Sequence, residues 1–305
     1  MVPAREHAVR LAATEAPPLD ARPTNNMETD ALQTILPRAS LRECVREYQV
    51  FRFVFDKETT PPPKLHAPRP EHCLTFYVRD GQKFSDLAGG DIIAYPQCVI
   101  NGLLNRPIYR YGGHDFWAIK VVLRPSAFFR LLHIPLPLLT NAFIDAEAVW
   151  GASIRRVCEQ VANSANLAAM LAVIEGFLEA LIRNRLAPPL PIDKAVMSLA
   201  GAGAGRSIEA LANQACLSPR QFIRKFEERI GVSANMFHRI VRFDKAFRLK
   251  NNQPATDWLS VALATGYCDY QHLAKDFKEF TTFTPPVFYE IEQTSPERKF
   301  GLHEG

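Results

Sequence analysis

Two rhythms of apolar residues divide the chain. Between Tyr48 and Arg124 they come in short runs rich in Val, Ile, Phe and Tyr: Tyr48–Phe55, His72–Arg79, Asp91–Tyr95, Ile108–Tyr111 and Phe116–Leu123. Asp80-Gly81, Gly89-Gly90 and Gly112-Gly113 break them. Such runs bounded by turn residues predict strands, so this stretch reads as a small all-β unit, a barrel or sandwich. After Arg124-Pro125 the period lengthens to that of a helix. Short helices are predicted around Ser126–Leu132 and Asn141–Trp150, then two longer ones. The second long helix carries Leu167, Leu171, Ile174, Leu178 and Leu181 at alternating spacings of four and three. That is one apolar stripe, which packs either on its own domain or on a second copy of the chain. It covers about two heptads, and a paired coiled coil normally wants three or more.

Ala187-Pro188-Pro189-Leu190-Pro191 stops the helix and makes a stiff connector, the best domain boundary in the chain. It separates residues 31–187, with the β unit at about 48–124 and helices at about 125–187, from residues 188–290. Beyond it come a short helix at Asp193–Leu199 and a loop, Gly201-Ala202-Gly203-Ala204-Gly205. A helix from Ser207 to about Gln214 then turns Ile208, Leu211 and Ala212 inward, and Ala215-Cys216-Leu217 makes a turn. In Ser218-Pro219-Arg220-Gln221 the serine caps a helix, the proline suits its first turn and the glutamine completes a capping box. Phe222, Phe226 and Ile230 advance by four and form the core face, and Gly231 ends the helix. Arg220, Arg224 and Glu227 project from the opposite side, with Ile223 at the edge. Arginines near the start of such a helix suit base edges, because their fork matches the O6/N7 pair of guanine.

The pattern then repeats. After a long helix from about Ala234 to Lys250, Leu211-Ala212 finds its counterpart in Val261-Ala262 and Cys216 in Gly266, fifty residues on. With one extra residue, Phe222 matches Leu273, Phe226 matches Phe277 and Phe237 matches Phe288. Asp269 can cap the second such helix, with Leu273, Phe277 and Phe280 facing inward. Gln271 and Lys275 point outward, with Tyr270 and His272 flanking them. Glutamine can pair with adenine, and lysine can serve a base or a phosphate.

Composition sharpens this reading. The net charge of +4 is too small to decide for nucleic acid by itself. However, Arg206 to Lys250 holds ten Lys/Arg against four Asp/Glu, so the excess is concentrated where the repeat begins. A hydrophobic content of 47% with 22% charged residues is ordinary globular composition. Cys44, Cys73, Cys98, Cys158, Cys216 and Cys268 are scattered without a C-x-x-C pair, which fits reduced thiols in a cytoplasmic protein. Residues 1–30 lack the apolar centre of a secretory signal and read as a disordered tail, and no run is long enough to span a membrane.

The residues from about Pro191 to Glu290 resemble the DNA-binding domain of the AraC/XylS family of bacterial transcription regulators. The resemblance rests on Ile208-x-x-Leu211-Ala212, on Leu217-Ser218-Pro219-Arg220-Gln221-Phe222-x-Arg224-x-Phe226, and on Gly266-Tyr267-x-Asp269-x-x-His272-Leu273-x-x-Asp276-Phe277-Lys278-x-Phe280. Phe283-Thr284-Pro285-Pro286, followed by Phe288-Tyr289, completes it. The resemblance implies an α+β chain with a small cupin-like β-barrel and helical extension, then seven helices forming two helix-turn-helix units joined by a long helix. Carried over residue by residue, it implies base contacts at Arg220, Ile223 and Arg224 and at Tyr270, Gln271, His272 and Lys275. It also implies double-stranded DNA as partner, a homodimer, RNA polymerase if the protein activates, and a small-molecule effector in the N-terminal domain. No cofactor or metal is expected. Two departures stand out. Cys216 occupies a turn where many such motifs use glycine, so a differently shaped turn is expected. Gln271 replaces a small hydroxyl residue.

Other residues carry weaker signals. Arg229, Arg239, Arg242, Lys245 and Lys250 fit solvated surface or phosphate contact equally well. His66, His72 and His114 lack the spacing of a metal-binding cupin. Tyr77, Tyr95, Tyr111 and Trp117 are candidates to line a ligand cavity, core packing being the commoner role. The rival class is a DNA-associated enzyme, such as an alkyl-transfer repair protein, but the reactive cysteine and zinc-thiol cluster are missing. Residues 291–305 read as a C-terminal tail.

Overall fold

Alternation of side chains across the pleat organises the N-terminal half of the computed structural model, which describes residues 32–58, 60–87, 91–201 and 207–294. A six-stranded antiparallel sheet runs in the order β1 (Leu32–Ile35), β2 (Val45–Val54), β9 (Asp115–Leu123), β4 (His72–Tyr77), β7 (Cys98–Asn101), β10 (Phe143–Asp145). A four-stranded sheet runs β3 (Lys64–His66), β8 (Ile108–Tyr111), β5 (Lys83–Asp86), β6 (Ile93–Ala94). The expected β unit is thus two sheets facing each other across a cavity. One face of β2, β4 and β9 sends Tyr48, Val50, Leu74, Phe76, Ile119 and Val121 into a core under the helices. The alternate residues Phe53, Thr75, Tyr77, Phe116, Ala118 and Lys120 line the space between the sheets.

That core is closed by α1 (Ala127–Leu132), α2 (Ala146–Trp150), α3 (Ala152–Ala162) and α4 (Leu167–Arg185). The apolar stripe of α4 is spent on its own domain: Ile174, Leu178 and Leu181 are buried there, and Leu167 and Leu171 pack at its edge. The segment expected to be one helix over Asn141–Trp150 is split. Phe143 and Ile144 pair with Asn101 and Ile100 as β10, and Asp145 then caps α2.

The C-terminal part holds seven helices among the described residues: α5 (Pro191–Gly201), α6 (Ile208–Gln214), α7 (Pro219–Ile230), α8 (Ala234–Asn252), α9 (Trp258–Ala264), α10 (Tyr270–Thr281) and α11 (Pro285–Gln293). Aromatic contacts organise them around α8. Phe226 of α7 meets Phe237 at 5.8 Å between ring centroids, and Phe277 and Phe280 of α10 meet Phe243 at 4.7 and 5.4 Å. Helix α11 takes in residues up to Gln293 that were expected to belong to a tail. The expected tail over residues 1–30, the Gly89-Gly90 turn, the loop from Ala202 to Gly205 and residues 295–305 lie outside the described residues.

The two parts dock closely. Leu65 and Leu103 of the sheet domain join the helical core. His72 Nε2 lies 3.1 Å from the carbonyl of Ile230, and Thr140 Oγ1 donates to the carbonyl of Gly231 at 2.7 Å. Among the described residues no helix is long and apolar enough to cross a membrane.

Candidate nucleic-acid interface

In the first unit, Ser207 starts α6 by accepting a hydrogen bond from the Ala210 amide. The chain then turns at Cys216 with φ 54°. Ser218 Oγ accepts from the Gln221 amide at 3.3 Å, while Gln221 Oε1 accepts from the Ser218 amide at 3.1 Å, so the capping box is formed. Gly231 ends α7 at φ 94°, a left-handed conformation that costs glycine nothing. With Phe222, Phe226 and Ile230 fully buried, Arg220, Ile223 and Arg224 stand exposed on the other side of α7. Neither Arg220 nor Arg224 has a hydrogen bond or ion pair to any described residue.

The second unit repeats the construction. Asp257 caps α9 through the amides of Leu259 and Ser260, the turn passes through Gly266 at φ 86°, and Asp269 caps α10 by accepting from the His272 amide at 2.9 Å. Leu273, Phe277 and Phe280 are fully buried, which leaves Gln271, His272 and Lys275 exposed and Tyr270 half-buried. His272 Nδ1 sits 2.9 and 3.0 Å from the two Asp269 oxygens, an arrangement that fixes the ring and leaves Nε2 free of this contact. Hydrogen bonds from the His272 backbone and ring hold the Asp269 carboxyl below its usual range. Lys275 stands one turn from Glu279 and attracts it electrostatically.

The turn at Cys216 does not have the different shape expected of a residue other than glycine. Both turns adopt positive φ, so Cys216 carries a strain of roughly 1–2 kcal/mol that Gly266 avoids. The five ambiguous cations also resolve. Arg229 is buried, 3.1 Å from Asp193 Oδ1 and stacked 4.5 Å from the centre of the Phe129 ring. Arg239 binds Asp276 at 2.8 and 3.0 Å and also reaches Glu279. Arg242 donates to the Gly266 carbonyl at 3.2 Å and lies over Tyr267. Lys245 reaches the Gly201 carbonyl, and Lys250 donates to the carbonyls of Pro254 and Thr256. All five hold the scaffold, so the exposed cations of α7 and α10 are a distinct set.

Residues 211–290 match the family described as "Helix-turn-helix domain". The match lies within the C-terminal third of the chain and takes in both helix-turn-helix units. An uncharacterized HTH-type transcriptional regulator of Haemophilus influenzae is 39% identical over 82 residues, which are 27% of this chain and 27% of that protein. The match thus spans about a quarter of the curated relative's length. Two structures of ToxT are similar at low identity. One, an apo form of a ToxT variant from Vibrio cholerae strain SCE256, is 9% identical with a TM-score of 0.47, covering 80% of this chain and 97% of that one. The other, ToxT from Vibrio cholerae O395, is 11% identical with a TM-score of 0.45, covering 86% and 98%.

Outside the helix-turn-helix domain, only some of the candidate residues meet. Tyr77 lines the cavity between the sheets, and Tyr95 lines a second one beside it. Tyr111 instead bonds Ser85 at 3.1 Å. Trp117 alternates to the other face of β9, where Arg52 stacks on it at 5.0 Å. His72 is buried against the docked helical domain, and desolvation lowers its pKa to about 4. His66 lines the cavity with four cations that the sequence reading missed: Lys64, Arg69, Arg110 and Lys120. One signal was available, since Lys120 interrupts the apolar run Ala118-Ile119-Lys120-Val121-Val122.

Proposed function

We propose that the chain is a sequence-specific DNA-binding transcription regulator that lays α7 and α10 into successive major-groove segments. One observation carries this reading. The same helix-turn-helix is built twice, and each copy leaves polar and cationic side chains exposed at the start of its second helix while neighbouring cations are tied into the scaffold. In this reading Arg220 and Arg224 pair with guanine, Gln271 pairs with adenine, and Ile223 meets a thymine methyl. His272 presents Nε2, Tyr270 flanks it, and Lys275 takes a base or a phosphate. The sheet domain senses an effector and supports a homodimer in the cytoplasm, and RNA polymerase is the further partner if the protein activates.

The test begins with selection of bound duplexes from a random library by the full-length protein, followed by Arg224→Ala. The variant is expected to lose about 1–3 kcal/mol on the selected site and to relax preference at one base pair. Equal weakening on all sequences would make Arg224 a phosphate contact. Failure of the wild type to enrich any sequence would end the reading.

A further inference from the structure

The open cavity between the sheets combines an apolar lining with a cationic one. Phe51, Phe53, Phe55 and Phe116 make one side apolar. Lys64 and Arg110 of the smaller sheet, Arg69 beyond β3 and Lys120 of β9 bring positive charge into the cavity, and among the described lining residues there is no Asp or Glu. Carboxylates stand behind these cations rather than in the cavity. Glu71, already paired with Lys120 and with Arg46, is held far below the usual carboxylate range by Lys120, Arg46 and Arg69 despite its burial. Glu292 of α11 reaches Lys64 only at 3.7 Å. Among the described residues Arg110 has no carboxylate partner, and its buried Nε has no hydrogen-bond partner. Positive charge gathered in a space with apolar walls is costly unless an anion joins it.

We propose that this cavity binds an organic acid with an apolar body, its carboxylate on the fork of Arg110 and its hydrocarbon against the phenylalanine wall. A planar guanidinium matches a carboxylate in two parallel bonds, and the phenylalanine side chains favour a ligand with an apolar body over a bare inorganic anion. The same acid reaches the helical domain through Lys64. An anion entering beside Lys64 competes with Glu292 and loosens the hold of β3 on α11, so it favours one arrangement of the two domains over another. Only this last consequence rests on the DNA-binding reading.

The experiment is calorimetric titration of the full-length protein with decanoate, benzoate and decanol below micellar concentrations, repeated on Arg110→Gln and, as a remote control, Arg155→Gln. At least one acid is expected to bind, decanol about ten-fold more weakly or worse, and Arg110→Gln is expected to lose a similar factor with an unchanged melting midpoint. The contrast between decanoate and benzoate tells an aliphatic body from an aromatic one. Equal binding of acid and alcohol, no binding of either acid at millimolar concentration, or full binding by Arg110→Gln would overturn the proposal. If Arg110→Gln fails to fold, the acid-to-alcohol ratio on the wild type decides alone. Acid binding without any specific DNA binding would keep the cavity assignment and refute the regulator.

Discussion

The two helix-turn-helix units share one plan but are held by different neighbours. The first recognition helix, α7, is gripped at its C-terminal end by the sheet domain. His72 and Thr140 bond the carbonyls of Ile230 and Gly231, and Arg229 of its last turn lies on Phe129. The hydrogen bonds and ion pairs of α10 run instead within the helical domain, through Asp276 to Arg239, Arg242 and Tyr267. Helix α10 also ends on Thr282 at φ 70°, where α7 has glycine. A change in the sheet domain therefore reaches α7 directly, whereas Lys64 of the sheet domain meets Glu292 on α11 and not α10.

The strongest way to break this comparison is to remove the carboxylate that anchors each unit. Asp193 and Arg229 both have side chains only 6% exposed, so Asp193→Ala strands a buried guanidinium and is expected to cost about 3–5 kcal/mol in chemical denaturation. Asp276→Ala should cost less, because Arg239 keeps Glu279 and both it and Arg242 are partly exposed, at 19% and 21%, which leaves chiefly the buried Tyr267 hydroxyl without its acceptor. Equal losses would mean that the two anchors are energetically alike.

Acid offers the next largest effect, and it should be one-sided. The pKa of His72 falls from the ordinary 6.5 to about 4 in the folded protein, through burial. The unfolded chain therefore takes up this proton first. Stability from His72 is complete above pH 6.5 and is lost as pH falls toward 4, by up to about 3 kcal/mol. Hydrogen exchange should show α7 loosening before α10 in that window, and His72→Gln should flatten the slope. Half-buried His66, also held well below its usual value by desolvation and the nearby cations, leaves a residual slope in that variant. Acid loosening of both helices together would show that the grip on Ile230 does not single out the first unit.

The end of each recognition helix gives a smaller contrast. A Cβ on Gly231 would lie 2.7 Å from Thr140 Oγ1 and 2.9 Å from the Leu136 carbonyl. Gly231→Ala adds left-handed strain of about 1–2 kcal/mol to that crowding and should loosen α7 from the sheet domain, detected as faster proteolysis of the interface. Thr282→Gly acts in the opposite sense by relieving strain at φ 70°, and it should raise the unfolding midpoint. A loss of stability in both variants would remove this difference between the helix ends.

What could be read from the sequence follows the range of the forces involved. Caps, stripes and the turn glycine are local, so Ser218, Gln221, Phe222, Phe226 and Gly231 announced α7 almost to the residue. Strand register is not local. Lys64–His66 is three residues long in a proline-rich stretch and becomes a strand only through β8, more than forty positions away. Arg229 looked like any helical arginine because its partner Asp193 lies 36 residues earlier. The cavity cations come from several strands of two sheets, so no window along the chain brings them together.

The smallest effect tests whether the two turns are equivalent. Cys216 at φ 54° and Gly266 at φ 86° occupy the same place in the repeat, but only the cysteine carries left-handed strain. Cys216→Gly relieves roughly 1–2 kcal/mol and gives back about half of that through the greater freedom of glycine in the unfolded chain. A net gain of about 0.5–1 kcal/mol in the denaturation midpoint is expected. Gly266→Ala should lose a comparable amount, since it installs the strain that the first unit already bears. Because Cys216 is exposed, no lost packing obscures the comparison. Shifts of the same sign in the two variants would mean that the turns share a backbone angle without sharing its energetics, and the equivalence of the units would stop at their recognition helices.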